Sequence, residues 1–322
     1  MEISGSYWKT CTLHAAVKLD IFSIIGEDSL TAKEMGNRID GDTRAVSMLL
    51  DALAALALIE KEGTTYRNTP ESLQYLVKNS PAYIGYMIMH HHHLAESWVN
   101  MDQTILSGKP NRERSSHTTE ESRESFLMGM FNNAMAIAPG LSKTLDLSGC
   151  NHILDLGGGP GTYAIHFCLA NPDLRASVYD LPTTRPFFEK TVHRFGLSHR
   201  VDFIEGDFVT DDLTGLGQFD AAWLSHVLHG ETPATCREMI AKTVSLLNPG
   251  GKIFIHEFIL EDSRAAPVFP ALFSLNMLLG TDGGQSYAEN ELREMLTACG
   301  ITRIERLDFT GPTESGILMG SL

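Results

Sequence analysis

A glycine-rich turn holds the first residues able to do chemistry: Leu154-Asp155-Leu156-Gly157-Gly158-Gly159-Pro160-Gly161. Glycines here let the chain bend tightly and let a ligand lie against the backbone. A dinucleotide fingerprint would need a glycine at 162, where the chain has Thr162, and a phosphate loop would need a lysine that is missing. The turn opens instead on an acid, Asp155, which disfavours a pyrophosphate and favours a cation. Asp180 follows and suits hydrogen bonds from both hydroxyls of a ribose. Asp207, beside Phe208, suits an exocyclic amine and the face of an adenine. Any one of these features alone is ordinary strand-end topology. In this order, the turn with Gly157, Gly159 and Gly161, the ribose acid and the adenine acid together describe S-adenosylmethionine, whose sulfonium is positive.

For those residues to meet, each must stand at the end of a strand. The pattern predicts strands over 152–155, 175–180, 200–205, 219–225 and 252–258, with helices between them over 161–170, 185–195 and 233–247. A last helix over 288–299 precedes strands over 301–308 and 316–319. Strands spaced by helices predict parallel β-α-β units and a doubly wound, Rossmann-like α/β domain over residues 108–322. Residues 1–107 read differently, as an all-helical domain with a short hairpin. Thr31 stands three residues before Glu34, a capping-box pattern. A strongly apolar helix starts at Asp42-Thr43-Arg44, and strands near 58–61 and 65–67 flank a Glu62-Gly63 turn.

Helices followed by a hairpin make a winged-helix pattern, yet the residues oppose DNA binding. Between Glu27 and Lys78 there are six basic and nine acidic side chains, and the whole chain of 322 residues carries a formal charge of −15. A reading helix needs Arg, Lys, Asn or Gln toward base edges, and a phosphate footprint needs net positive charge. The apolar helices predict a dimerisation domain instead. The same negative charge disfavours an anionic membrane surface, and no apolar run approaches the ~20 residues of a membrane helix. The opening Met1-Glu2-Ile3-Ser4-Gly5 has no basic or apolar stretch of a signal peptide. Five scattered cysteines with no C-x-x-C pair suggest neither a disulfide framework nor a zinc site. A reduced, cytoplasmic protein is expected, with no nucleic-acid or membrane partner.

The glycine turn, Tyr179-Asp180-Leu181-Pro182, Glu205-Gly206-Asp207-Phe208, Leu224–Gly230 and Leu247-Asn248-Pro249-Gly250-Gly251 resemble the class I S-adenosylmethionine-dependent O-methyltransferases. The likeness is to the plant caffeate and hydroxyindole type of small-molecule enzymes and their bacterial relatives. It extends to their winged-helix dimerisation domain through Arg67-Asn68-Thr69-Pro70 and Leu106-Ser107-Gly108-Lys109-Pro110. The resemblance implies a homodimer that methylates a hydroxyl of a small, aromatic acceptor and needs no metal. It places Leu181 and Ser225 beside the cofactor, the general base on His229 and its orienting carboxylate on Glu257. The chain departs from the plant pattern twice. Ser286 stands where a second carboxylate would, and Gly230-Glu231 replaces an Asp-Trp after the base.

His226, three residues before His229, is an alternative base, and either imidazole has a plain structural reading as a hydrogen-bonded side chain. The run His90-His91-His92-His93 is read as a polar helix face, with His93 a candidate acceptor contact. Trp98, Phe126, Met130, Phe131, Phe273, Asn276 and Met277 are the further acceptor candidates. Two other readings compete: C-methylation of a larger ring such as a tetrapyrrole, and a winged-helix regulator that senses a ligand. The residues do not name the acceptor.

Overall fold

The computed structural model describes residues 2–114 and 119–322. The chain packs as two compact units, Met1–Glu96 with Thr119–Asn132, and Ser97–Thr118 with Asn133–Leu322.

In the first unit, helices Tyr7–Lys18, Ile21–Ile25, Ala32–Ile39 and Thr43–Ala55 surround a core that includes Phe22, Met35, Leu50 and Leu53. The capping box forms: Thr31 Oγ1 accepts from the Glu34 amide, and the Glu34 carboxylate accepts from the Thr31 amide at 2.8 Å. The wing is richer than the sequence pattern suggests. Strands β2 (Ile59–Glu62) and β3 (Thr65–Asn68) form the hairpin, and a two-residue strand β1 (Leu30–Thr31) pairs antiparallel with β3. Two residues carry no detectable periodicity, so β1 was invisible in the sequence. On the apolar helix, Asp51 is tied to the wing by Lys61 Nζ at 2.6 Å and the Tyr66 hydroxyl at 2.7 Å. The helix Gly85–Val99 carries the four histidines. They point to different neighbours: His90 meets Phe126, His92 meets Lys18 and His14, and His93 Nδ1 meets the Ser122 hydroxyl at 3.1 Å.

The second unit is built on a seven-stranded sheet. Its strands are β4 (His152–Leu156), β5 (Arg175–Asp180), β6 (Val201–Glu205), β7 (Phe219–Ser225), β8 (Leu247–Glu257), β9 (Arg303–Arg306) and β10 (Gly316–Ser321), in the order β6-β5-β4-β7-β8-β10-β9. The first five in that order are parallel, as a doubly wound domain requires. β10 runs antiparallel to both β8 and β9, so the sheet is mixed. Successive residues alternate between two cores. Leu154, Leu156, Leu224 and Ile255 face one, and Ile153, Val178, Trp223 and Phe254 face the other. This period of two, apolar on both faces, marks a sheet covered by helices on each side. The helix Pro233–Ser245 stops before Leu247, where β8 begins earlier than the sequence pattern suggests. The helix Val268–Gly280 was not anticipated. Among the described residues, no helix is long and apolar enough to cross a membrane.

Candidate active site

The glycine turn leaves β4 with Gly157, Gly159 and Gly161 at φ of +70°, +56° and +77°. A side chain is excluded by space as well as by backbone. A Cβ at 157 would overlap Val227, and one at 158 would stand 2.5 Å from the Asp155 carboxyl carbon. Asp155 is 1% exposed, and among the described residues neither carboxyl oxygen makes a hydrogen bond of good geometry. Burial pushes its pKa up to about 7, the Asp180 charge acts the same way, and the Ala164 backbone only partly offsets them. A buried carboxyl without a hydrogen bond of good geometry, set against a glycine cradle, suits a cationic ligand.

Asp180, at the end of β5, does more than close a strand. Its carboxylate accepts from the Gly159 amide at 2.8 Å, the Leu181 amide at 2.7 Å and the Thr184 hydroxyl at 3.0 Å. It therefore ties the loop after β4 to the loop after β5. Burial raises its pKa, and those three donors oppose the rise. Asp207 accepts from the Val209 amide at 2.9 Å, and its own amide donates to Asp211. Asp211 also accepts from Tyr179. Asp211 was missed in the sequence because it follows no strand end. Phe208 faces the same turn, within 3.2 Å of where a Cβ on Gly157 would be. The Ser225 hydroxyl, at the end of β7, lies 2.9 Å from His256 Nδ1. His256 is buried and also meets Ser315, and burial holds it well below the usual imidazole range.

Parallel pairing sets Ser225 opposite His256, so the segment leaving β7 runs beside Glu257, the last residue of β8. His226 turns the chain in the left-handed region, at φ +57°, and Leu228–Gly230 form a single 3₁₀ turn. Glu257 is 2% exposed. Its Oε1 accepts from the amides of Leu228 at 2.9 Å and His229 at 3.3 Å. Its Oε2 is 2.7 Å from His229 Nδ1 and 3.6 Å from His226 Nδ1. Burial alone would raise this carboxyl's pKa, but the neighbouring His229 and His226 imidazoles together hold it well below the usual range. The Phe258 ring stands 4.2 Å from His226, and Phe273 meets His229 edge-on at 4.8 Å between centroids. Phe269 stacks on Phe273.

The remaining acceptor candidates divide between the units. Trp98, Phe273, Asn276 and Met277 belong to the second, and His93, Phe126, Met130 and Phe131 to the first. Trp98 Nε1 donates to Asn276 Oδ1 at 3.3 Å, and Arg112 donates to the same residue's carbonyl and side-chain oxygens. Met277 is buried. Ser286, where the plant pattern has a carboxylate, is buried, and its hydroxyl has no partner among the described residues. Where Asp-Trp is missing, Glu231 is bound by Arg114, which also donates to the Gly230 carbonyl at 3.0 Å. Tyr287 closes the other side of that turn by donating to the Glu231 carbonyl, with Cys236 between. Arg114 and Tyr287 carry no sequence signal, because their partners are more than fifty residues away.

An O-methyltransferase domain model matches residues 108–302, and an O-methyltransferase dimerisation domain model matches residues 1–78. The chain belongs to this family. It is 31% identical to the 3-hydroxy-5-methyl-1-naphthoate 3-O-methyltransferase of Streptomyces sahachiroi, over 99% of this chain and 93% of that one. The solved O-methyltransferase family protein from Burkholderia thailandensis superposes with a TM-score of 0.89 at 28% identity, covering 99% of this chain and 96% of that one. Human N-acetylserotonin methyltransferase, solved with S-adenosylmethionine, shares the fold at a TM-score of 0.86 and 23% identity, covering 99% and 95%. The enzyme is an S-adenosylmethionine-dependent O-methyltransferase with a dimerisation domain.

Proposed function

We propose that the enzyme methylates a hydroxyl of a small aromatic acceptor, with His229 as general base and Glu257 as the residue that orients it. The observation behind this reading is the 2.7 Å contact between His229 Nδ1 and Glu257 Oε2. An ionised carboxylate there keeps the imidazole proton on Nδ1, which leaves a lone pair on Nε2. The cofactor supplies the methyl electrophile. The protein's part is alignment and removal of a proton. An unperturbed phenol has a pKa near ~10 and an imidazole near ~6.5, so proton removal as the new bond forms is worth roughly 10²–10⁴-fold. Phe258, Phe269 and Phe273 offer an aromatic wall beside the base, which supports a flat acceptor.

In this reading Asp155, Gly157, Gly159, Gly161, Asp180, Leu181, Asp207, Phe208 and Ser225 hold the cofactor. Residues 108–322 carry the transfer and residues 1–107 pair two chains into a homodimer. The acceptor relation to the Streptomyces relative is one of class: that enzyme's name specifies a hydroxynaphthoate, and the aromatic wall here suits a fused or single ring.

The test is turnover of His229→Gln on a neutral phenol, measured with chelator present and where chemistry limits. A fall of roughly 10²–10⁴-fold with unchanged cofactor affinity supports the base. Turnover at the wild-type rate overturns it. A nuclear magnetic resonance assignment of the transferred methyl to carbon rather than oxygen would replace the hydroxyl acceptor by the C-methylation reading.

A further inference from the structure

Glu257 serves two imidazoles, yet only one of them is hydrogen-bonded to it. His229 Nδ1 stands at 2.7 Å from Oε2 and His226 Nδ1 at 3.6 Å, beyond hydrogen-bond reach. His226 Nδ1 is buried and has no hydrogen-bond partner among the described residues. A buried donor or acceptor left unpaired costs about 1–3 kcal/mol, so such a group calls for an explanation. The residue is also held in the left-handed backbone region, at φ +57°. A non-glycine residue held there stores strain, and such strain clusters at functional sites. One ring nitrogen of each histidine and a carboxylate oxygen of Glu257 all lie within 4.8 Å of one another.

We infer that His226, His229 and Glu257 form a binding site for one divalent transition-metal ion of the zinc, cobalt or nickel kind, and that this ion inhibits the enzyme. Two imidazole nitrogens and one carboxylate oxygen select such an ion over magnesium or calcium, which prefer all-oxygen shells. Three protein ligands leave positions for water, as in open zinc sites. The carboxylate is already aimed. Oε1 is committed to the Leu228 and His229 amides, and Oε2, which also accepts from the Phe258 amide at 3.3 Å, is directed at both rings. Hydrogen-bonded ligating carboxylates are the usual way a site orients its first ligand.

The inhibitory consequence rests on the base reading above. A metal on Nδ1 needs that atom's lone pair. The neutral ring then carries its single proton on Nε2, and an N–H there cannot accept a proton from a hydroxyl. The ion shifts the tautomer that Glu257 otherwise selects.

The experiment uses the untagged full chain and cobalt(II) as the probe, with zinc as competitor. One equivalent of cobalt should bind and give visible ligand-field absorption that zinc abolishes. His226→Asn should weaken cobalt binding by at least ~10²-fold, more than loss of an outer partner costs a metal site. Cobalt absorption that is absent in the wild type, or unchanged in His226→Asn, overturns the site; the second result would direct attention to the His90–His93 run. If His226→Asn does not fold, zinc should protect His226 and His229 of the wild-type chain from diethyl pyrocarbonate, read by peptide mass. Labelling that zinc does not change overturns the site equally. Absorption reports the metal whether or not His229 is the base, so the two readings fail separately. With both correct, saturating zinc lowers methyl transfer by at least ~10²-fold and a chelator restores it.

Discussion

Glu257 grips His229 twice, once by the backbone and once by the ring. Oε1 accepts the His229 amide at 3.3 Å, and Oε2 holds Nδ1 at 2.7 Å. The carboxylate therefore sets both where the imidazole starts and which nitrogen carries its proton. A side chain with two χ angles keeps little freedom once its backbone and one ring atom are fixed by the same group.

Glu257→Gln should separate those two functions. The amide carbonyl can still accept one backbone hydrogen bond, but the charge that selects the tautomer is gone. Turnover is expected to fall roughly 10²–10⁴-fold while cofactor affinity by calorimetry holds. Stability adds a second readout. A carboxyl held below its unfolded value stabilises the fold above about pH 4 and loses that contribution as pH falls through its folded pKa. Wild-type stability should therefore drop more steeply in acid than that of the variant. Parallel acid-unfolding curves would contradict the buried charge.

Asp155 predicts the opposite trend. Its pKa is pushed up to about 7 by burial, so the folded state holds a proton that the unfolded chain releases near pH 4. Stability of the cofactor-free protein is lost as pH rises between these values and then levels. Asp155→Asn keeps the shape and removes the titration. The melting temperature of the variant relative to wild type should climb from pH 4 to pH 7 and be flat above. A difference independent of pH would show that the carboxyl is ionised throughout.

Asp180→Ala removes the acceptor for Gly159, Leu181 and Thr184 at once. In the proposed reading it also removes the ribose hydrogen bonds. Cofactor affinity should weaken by ~1.5–3 kcal/mol, the scale of a charged hydrogen bond, with the fold intact by circular dichroism. Unchanged affinity by calorimetry would remove Asp180 from the cofactor site.

The proposed homodimer is checked by light scattering. A chain of 35.4 kDa should scatter as twice that mass at micromolar concentration. Truncation of the exposed Ile3, Tyr7 and Trp8, which are 92%, 60% and 68% exposed in the single chain, should shift it toward monomer. A monomeric wild type would contradict the assignment of residues 1–107.

What the sequence determined by itself was local. Three glycines at positive φ, an acid at a strand end and a capping box each impose a backbone requirement within a few residues, and such requirements are written in residue type. The strand pattern was legible for the same reason, because alternation over five or six residues repeats within one strand. Partnership across the chain was another matter. The antiparallel β10 pairs with β8 across some sixty residues, and nothing in Gly316–Ser321 states its direction. Glu257 could be placed beside His229 only through a family likeness. That one oxygen serves His229 and stops short of His226 was decided by the register of β7 against β8 and by the left-handed turn at His226. Arg114 on Glu231 and Tyr287 on the same turn were decided likewise, by packing. A hydrogen bond between residues far apart in sequence leaves each free to be read as an ordinary polar side chain, and only the folded sheet brings the donor and the acceptor to one place.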